Sequence, residues 1–298
     1  MTLSLTSLFR AVPGNVAQGM IWGIMALGLY ISYKILNFSD LTVDGSFSLG
    51  ACVAVMAILK GVPALPAVLL AFLTGCLAGM ITGILHTVLK IAPILSGILT
   101  QIALYSINLH ILSNKANQAI NISEHSLLLS LRHTGKAIGV VFLFVAVLIA
   151  LLYWFFGTEI GSSIRATGNN ETMAKAQGID TDVIKVVALS LSNGIVALAG
   201  GLLAQFQGYA DVSLGRGAIV IGLAAIIIGS VLFESLFRKE LNFAVLLGSC
   251  VLGGILYYLF VGTVLWLKLP TNDMKLFTAV IVALFLSISN LSKKKEEA

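Results

Sequence analysis

Thr158 to Asp182 reads TEIGSSIRATGNNETMAKAQGIDTD, the longest polar interruption in the apolar second half of a 298-residue chain. With Glu159, Arg165, Glu171, Lys175, Asp180 and Asp182 inside it, this segment lies in water or against a partner, because hydrocarbon leaves such charges unpaired. Within it, Gly168-Asn169-Asn170 reads as a helix start. An Asn caps it, Glu171 sits in the first turn, Met173, Ala174, Lys175, Ala176 and Gln177 are good formers, and Gly178 is the stop. The expected helix has two turns. Alone in water a helix so short is marginal, so something must grip it, either the rest of its chain or a docking protein. On composition alone an ordinary cytoplasmic loop is an equal reading.

On either side the chain is apolar: 58% hydrophobic, 10% charged, with a mean hydropathy of +1.00. Soluble domains carry about a quarter charged residues, so this composition specifies an all-α polytopic membrane protein in contact with the lipid bilayer. Spans of roughly 20 apolar residues fall near 15–36, 46–60, 64–88, 92–113, 137–156, 183–206, 217–234, 242–265 and 274–291, about nine in all. The formal charge of +5 comes largely from Lys293, Lys294 and Lys295. That tail is a positive-inside signal and not a nucleic-acid patch. Thr2 to Val12 reads as a short interfacial helix, not a signal peptide. The polar segment Asn114 to Lys136 is expected outside, with Ser126 to Leu131 as a short helix on the membrane surface.

The chain also echoes itself. Asp40-Leu-Thr-Val-Asp-Gly-Ser-Phe-Ser-Leu-Gly-Ala51 is matched by Asp211-Val-Ser-Leu-Gly-Arg-Gly-Ala-Ile-Val-Ile-Gly222, with Gly45 set against Gly217. Five expected spans separate the two starts, so the copies run in opposite directions through the membrane, a recurring transporter plan. The organisation is then one permease domain over 1–298: a first repeat at about 15–113, the polar segment 158–182, a second repeat at about 183–291 and a basic cytoplasmic tail at 292–298.

Acids near bilayer depth are costly, which singles out Asp40 and Asp44. Asp44, beside Gly45 at the broken start of the second span, either lines a path through the membrane, or both acids lie in interfacial water and cap that helix. Gln101, Tyr105 and Asn108 share one face of the fourth span, and Ser190 and Asn193 share one face of the sixth. Each stripe is interhelical glue or the wall of a wet channel. Gly75, Gly79 and Gly83, spaced by four, form a close-packing face. Glu234 and Arg238 are a candidate exposed pair. Cys52, Cys76 and Cys250 are packing residues, and His86 and His110 have no ligand partners at metal spacing. No G-x-x-x-x-G-K-[ST], GxSxG or HExxH pattern occurs, so no catalytic residue is assigned and ATP is not bound by that means.

The succession Thr158, Gly161, Ile164-Arg165-Ala166, Gly168-Asn169, Ala174 and Gly178-Ile179-Asp180, leading into an apolar helix that ends in Ala199-Gly200-Gly201, resembles the coupling region of one family. These are the membrane subunits of ABC importers for branched-chain amino acids, ribose and related sugars, and the acidic Asp40–Ala51 version is similar to permeases grouped with tryptophan or tyrosine importers. The resemblance spans nearly the whole chain and implies a fold like that of type II ABC importer permeases. It makes Glu171 to Gln177 the helix that docks on a cytoplasmic ABC ATPase. Arg165, Gly168, Asn169, Asn170, Glu171, Ala174 and Gly178 become its coupling residues, with Arg165 anchoring the lever through a carboxylate. Further implications are a second permease subunit, as a homodimer, and an extracytoplasmic substrate-binding lipoprotein. ATP and Mg then belong to the ATPase, and the location is the bacterial cytoplasmic membrane. The cargo expected is a small polar solute, an amino acid first, aromatic or branched-chain, with a sugar or nucleoside as alternative. An ion-coupled secondary transporter is the rival that would explain the repeat and Asp44 without an ATPase.

Overall fold

Side-chain polarity places the elements in the computed structural model, which describes residues 5–121, 126–236 and 242–266 and single helical positions at 276, 279, 280, 283 and 287. The helices are α1 (Leu5–Tyr30), α2 (Val43–Leu59), α3 (Ala64–Thr87), α4 (Pro93–Ile111), α5 (Thr134–Phe156), α6 (Glu159–Asn169), α7 (Glu171–Ala176), α8 (Thr181–Gln207), α9 (Ala218–Leu236) and α10 (Phe243–Trp266). Among the described residues six helices are long and apolar enough to cross a membrane, and α2 and α9 are shorter apolar helices. Eight of the nine expected spans thus have a helix. The ninth, at 274–291, the 292–298 tail and the Arg238 side of the Glu234–Arg238 pair lie outside the described residues or are described only at isolated helical positions.

The centre is α8, which packs on α1, α2 and α3. Its seam with α3 is the glycine stripe: a Cβ on Gly79 would strike the Leu189 carbonyl oxygen, one on Gly75 the Asn193 carbonyl oxygen, and one on Gly83 the Cα of Val186 at 2.8 Å. Lipid offers no hydrophobic drive for helix pairing, so this backbone proximity, with its many dispersion contacts, holds the two helices together. Polar links add to it. Ser192 Oγ donates to the Gly28 carbonyl at 2.8 Å, and Gln205 Nε2 donates to the Ala64 carbonyl at 3.0 Å. Trp22 of α1 stacks on Phe47 of α2 and Tyr258 of α10, with centroids 4.9 and 5.7 Å apart.

Helix α1 does not end cleanly. It passes into a π-helical turn, Ile31–Ile35, and Asn37 then adopts a left-handed φ of 56°. Asn tolerates that conformation better than most residues, and the chain runs irregularly to the start of α2 at mid-bundle. Two strands, β1 (Asn117–Ala119) and β2 (Tyr209–Asp211), pair antiparallel with Asn117 opposite Asp211. This ladder marks the end of the bundle away from Thr158–Asp182, since α8 joins the two over 27 residues, about 40 Å of helix.

Two local expectations are corrected. No separate interfacial helix breaks off before Val12: α1 runs unbroken from Leu5 to Tyr30. Ser126 to Leu131 is not a surface helix: among the described residues the stretch has no helix before the 3₁₀ turn Leu131–His133, which leads into α5. Leu129 is fully buried in the main core and the Leu128 amide donates to Gln205 Oε1 at 3.2 Å. A run of leucines can be satisfied by the bundle as well as by lipid, and periodicity does not distinguish the two. The approach to the two-turn helix is itself helical, as α6.

Candidate functional site

At the polar end, Thr158 caps α6, its Oγ1 accepting from the Gly161 amide at 3.4 Å. Asn170 then breaks the helix with an extended backbone and caps α7, its Oδ1 accepting from the Met173 amide at 3.0 Å. Gly178 supplies the left-handed residue (φ 83°) that turns the chain out of α7, the position where L side chains are strained. Asp180 caps α8, Oδ1 accepting from the Asp182 and Val183 amides at 3.1 and 3.2 Å. Three short polar residues and one glycine thus set two helices and the start of a third within 25 positions.

The grip that α7 needs comes from its own chain. Glu171 Oε1 pairs with Lys185 of α8 at 2.8 Å and with Lys175 at 2.9 Å, and these bonds hold its carboxyl down to about 2. Ala174 is 3% exposed and faces inward, whereas Met173 is 58% exposed. Asn169 is exposed at the end of α6. Gly168 seats α6 on the π-turn of α1, where a Cβ would meet the Ile35 carbonyl oxygen. The carboxylate expected for Arg165 is replaced by other partners: its Nη2 donates to the Phe156 carbonyl at the end of α5, and the guanidinium lies 5.8 Å from the Phe243 ring centroid of α10. A carbonyl freed by the helix end and a ring face both accept a cation's field.

Toward the other end, the two halves of the echo meet. Asp44, in the first turn of α2, accepts at Oδ2 from the Gly217 amide and at Oδ1 from the Ile219 amide, both at 3.0 Å. These are amides at the start of α9, the orphan donors of a helix N-terminus. Ser48 Oγ accepts from the Gly215 amide at 2.8 Å. Asp40 and Asp211 behave alike: each Oδ1 accepts from the amide two residues on, Thr42 at 2.8 Å and Ser213 at 2.7 Å. Of the two readings, the one that puts both acids in interfacial water as caps of α2 is corrected for the water and for Asp44, while the Asp40 bond does fall at the start of α2. Asp40 is 3% exposed, and Asp44 caps the helix start of the other half.

Around that junction lies a cavity of about 240 Å³ lined by Asp44, Gly45, Ser48, Gln101, Tyr105 and Asn108, together with Ile102, Val212 and Arg216. The α4 stripe and the α2 start thus share one wall. Ser190 and Asn193 are elsewhere. Ser190 Oγ donates to the Cys76 carbonyl at 2.9 Å across the α3–α8 seam. Asn193 Nδ2 donates to Asp40 Oδ2 at 2.6 Å and its Oδ1 accepts from Ser46 Oγ at 2.7 Å. A second buried cluster joins Thr42, Thr82 and Thr100, with oxygens 2.7 and 2.9 Å apart. Sequence reasoning passed over Lys185, Ser48 and Arg216. Arg216 carried a signal, since Arg216-Gly217 stands in the second half where Asp44-Gly45 stands in the first.

The model of the family described as branched-chain amino acid transport system / permease component matches residues 14–289. A tyrosine transport system permease protein of Clostridioides difficile is 39% identical over 285 residues, 95% of this chain and 93% of that protein. The ribose import permease protein RbsC of Escherichia coli is 26% identical over 186 residues, 61% of this chain and 57% of that one. In fold the chain is similar to the solved structure titled PsaBC from Streptococcus pneumoniae in complex with Fab, at a TM-score of 0.55 and 13% identity, over 96% of this chain and 95% of that one. With its apolar helices, its extramembrane α6–α7 segment and this kinship over nearly its whole length, the chain belongs to the family of branched-chain amino acid transport permease components, as a multi-pass subunit of the bacterial cytoplasmic membrane that transports and is not an enzyme.

Proposed function

We propose that this chain forms the membrane pathway of an ATP-driven importer for an amino acid, aromatic or branched-chain. The observation that carries the reading is the mechanical continuity from α7 to the helix junction. Glu171 ties α7 to Lys185 of α8, and about two turns further along the same helix, Asn193 holds Asp40 and Ser46 beside the cavity. Met173 offers an apolar side chain to an outside partner. A cytoplasmic ABC ATPase, carrying ATP and Mg, docks there. Its closure pulls α7, and α8 transmits the pull as a rigid body to the α2–α9 junction, opening and closing the cavity. Gly168 and Arg165 pass the same motion to α1 and α10.

The meeting of the α2 and α9 starts, with matched turns at Asp40 and Asp211, supports an inverted repeat of about 15–113 and 183–291. A second copy of the chain completes the pathway, and the apolar exposed side chains of α4 and α5, such as Leu95 and Phe142, face that copy or lipid. A substrate-binding lipoprotein delivers cargo at the β1–β2 end. The 39% identical tyrosine transport permease supports an amino acid as cargo.

The test is purification of the tagged full chain from its native membrane, with identification of co-purifying proteins and an ATPase assay. An associated ATPase, released when residues 171–177 become a Gly/Ser linker, is the expected result. Ion-driven uptake by the chain without any ATPase would replace this reading with a secondary transporter.

A further inference from the structure

Asp44 and Arg216 line the same cavity, yet their charges are treated differently. The carboxylate of Asp44 is met by the Gly217 and Ile219 amides at the start of α9, with the Ala218 amide also bonded to it, and of its roughly four acceptor positions one is left to spare. The guanidinium of Arg216 lies 6.0 Å from the Tyr105 ring centroid, and among the described residues no carboxylate stands within ion-pair distance of it. The α9 helix start thus satisfies Asp44, while the exposed Arg216 keeps its charge free for an anion.

Asn108 supplies an independent sign. It lines this cavity at 1% exposure, and neither its Nδ2 nor its Oδ1 has a hydrogen-bond partner. Buried amides are ordinarily satisfied, so a donor and an acceptor stand ready for a polar guest. About 240 Å³ is less than the roughly 300–1,000 Å³ of sites for drug-sized ligands, so the guest is small. It must bring an anionic group for Arg216, a donor for the remaining acceptor position of Asp44, and an apolar or aromatic part for Tyr105, Ile102 and Val212.

We infer that this cavity is a transit site for a zwitterionic α-amino acid, with its α-carboxylate on Arg216 and the Asn108 amide, its α-ammonium on Asp44, and its side chain against Tyr105. The inference rests on the reading of the chain as an amino acid permease and adds a site within it. Arg216 offers a planar fork that matches a carboxylate, so the permease itself checks for a free carboxyl after the binding protein has released its cargo.

The experiment is saturation-transfer NMR on the purified full-length chain in detergent, using L-tyrosine and L-leucine as probes. Tyramine, which lacks the carboxylate, and 3-(4-hydroxyphenyl)propionate, which lacks the ammonium, are the comparison compounds. The expected result is binding of an L-amino acid, with Arg216→Gln weakening it by about tenfold and Arg216→Lys retaining part of it. Tyramine should bind weakly to wild type and be indifferent to Arg216→Gln. Asn108→Leu, which fills the wall without charge change, should also weaken amino acid binding. Amino acid uptake by the whole importer is measured alongside. Uptake with no probe binding, or with binding unchanged in Arg216→Gln, overturns the site and leaves the importer reading standing. Absence of uptake for every amino acid overturns that reading and the site with it.

Discussion

Asn193 of α8 donates from Nδ2 to Asp40 Oδ2 at 2.6 Å, across 153 residues of sequence, and both side chains are buried. The same Asn193 accepts from Ser46, so one amide fixes the approach to α2 against the central helix. Asn193→Leu keeps the bulk and removes both bonds, stranding a buried carboxyl. Hydrogen bonds to charged groups are worth about 1.5–3 kcal/mol, and the thermal unfolding midpoint of the detergent-solubilised chain should drop accordingly. An unchanged midpoint would remove Asp40–Asn193 from the account of how the halves are joined.

The tie between Glu171 and Lys185 should depend on pH in a defined window. Hydrogen bonds from Lys175 and then Lys185 lower the Glu171 carboxyl from 4.5 to about 2. A carboxyl lowered on folding stabilises the folded form fully above its unfolded value, and loses that contribution as pH falls toward the folded one. Amide hydrogen exchange in Glu171–Ala176 should therefore be constant in protection between pH 7 and 5, after correction for intrinsic rates, and weaken from about 4.5 downward. Lys185→Met raises the folded value, so the loss below about 4.5 should become smaller and end at a higher pH; a profile unaffected by that variant would mean that Lys185 is not the anchor.

Met173 and Ala174 are neighbours with opposite exposures, 58% and 3%. Met173→Glu should leave the unfolding free energy within about 0.5 kcal/mol of wild type, as surface changes do, while abolishing ATPase association. Ala174→Glu forces a charge into the α7 seat and should loosen α7 itself, seen as faster amide exchange there. Equal loss of ATPase association without faster exchange in Ala174→Glu would place the docking face on the inward side.

The glycine stripe makes a comparison between two helices. Gly79→Ala sets a methyl against the Leu189 carbonyl, whereas nothing lies within 4 Å of a Cβ built on Gly139 in α5. Gly79→Ala should cost about 1–3 kcal/mol as overpacking, reducing the yield of monodisperse protein. Gly139→Ala should be neutral or stabilising by up to about 1 kcal/mol. Similar behaviour of both variants would show that α3 and α8 do not meet along this stripe.

Local chemistry was enough for much of the molecule. The capping Asn170, the stop at Gly178, the glycine stripe and the apolar spans all act through near neighbours or through the solvent, so composition and spacing carry them. The kinship of Thr158–Asp182 was legible for the same reason, because a short, charged segment between membrane helices has few ways to be built. Even the stripe of Gln101, Tyr105 and Asn108 was legible as one face, since helical periodicity assigns faces.

What that face meets was decided by tertiary structure. Asp44 reaches Gly217 and Ile219 across more than 170 residues, and nothing in its neighbourhood distinguishes capping its own helix from capping another. Ser190 and Asn193 look like Gln101 and Asn108 in sequence, but α8 lies at the centre and turns them into the α3 seam and onto Asp40. Leu129 looked like a lipid-facing residue because lipid and bundle core are equally apolar. Arg165 found a carbonyl and a ring because the ends of α5 and α10 converge there. In each case the residue type determined that a partner was required, and only the packing of distant helices determined which partner it was.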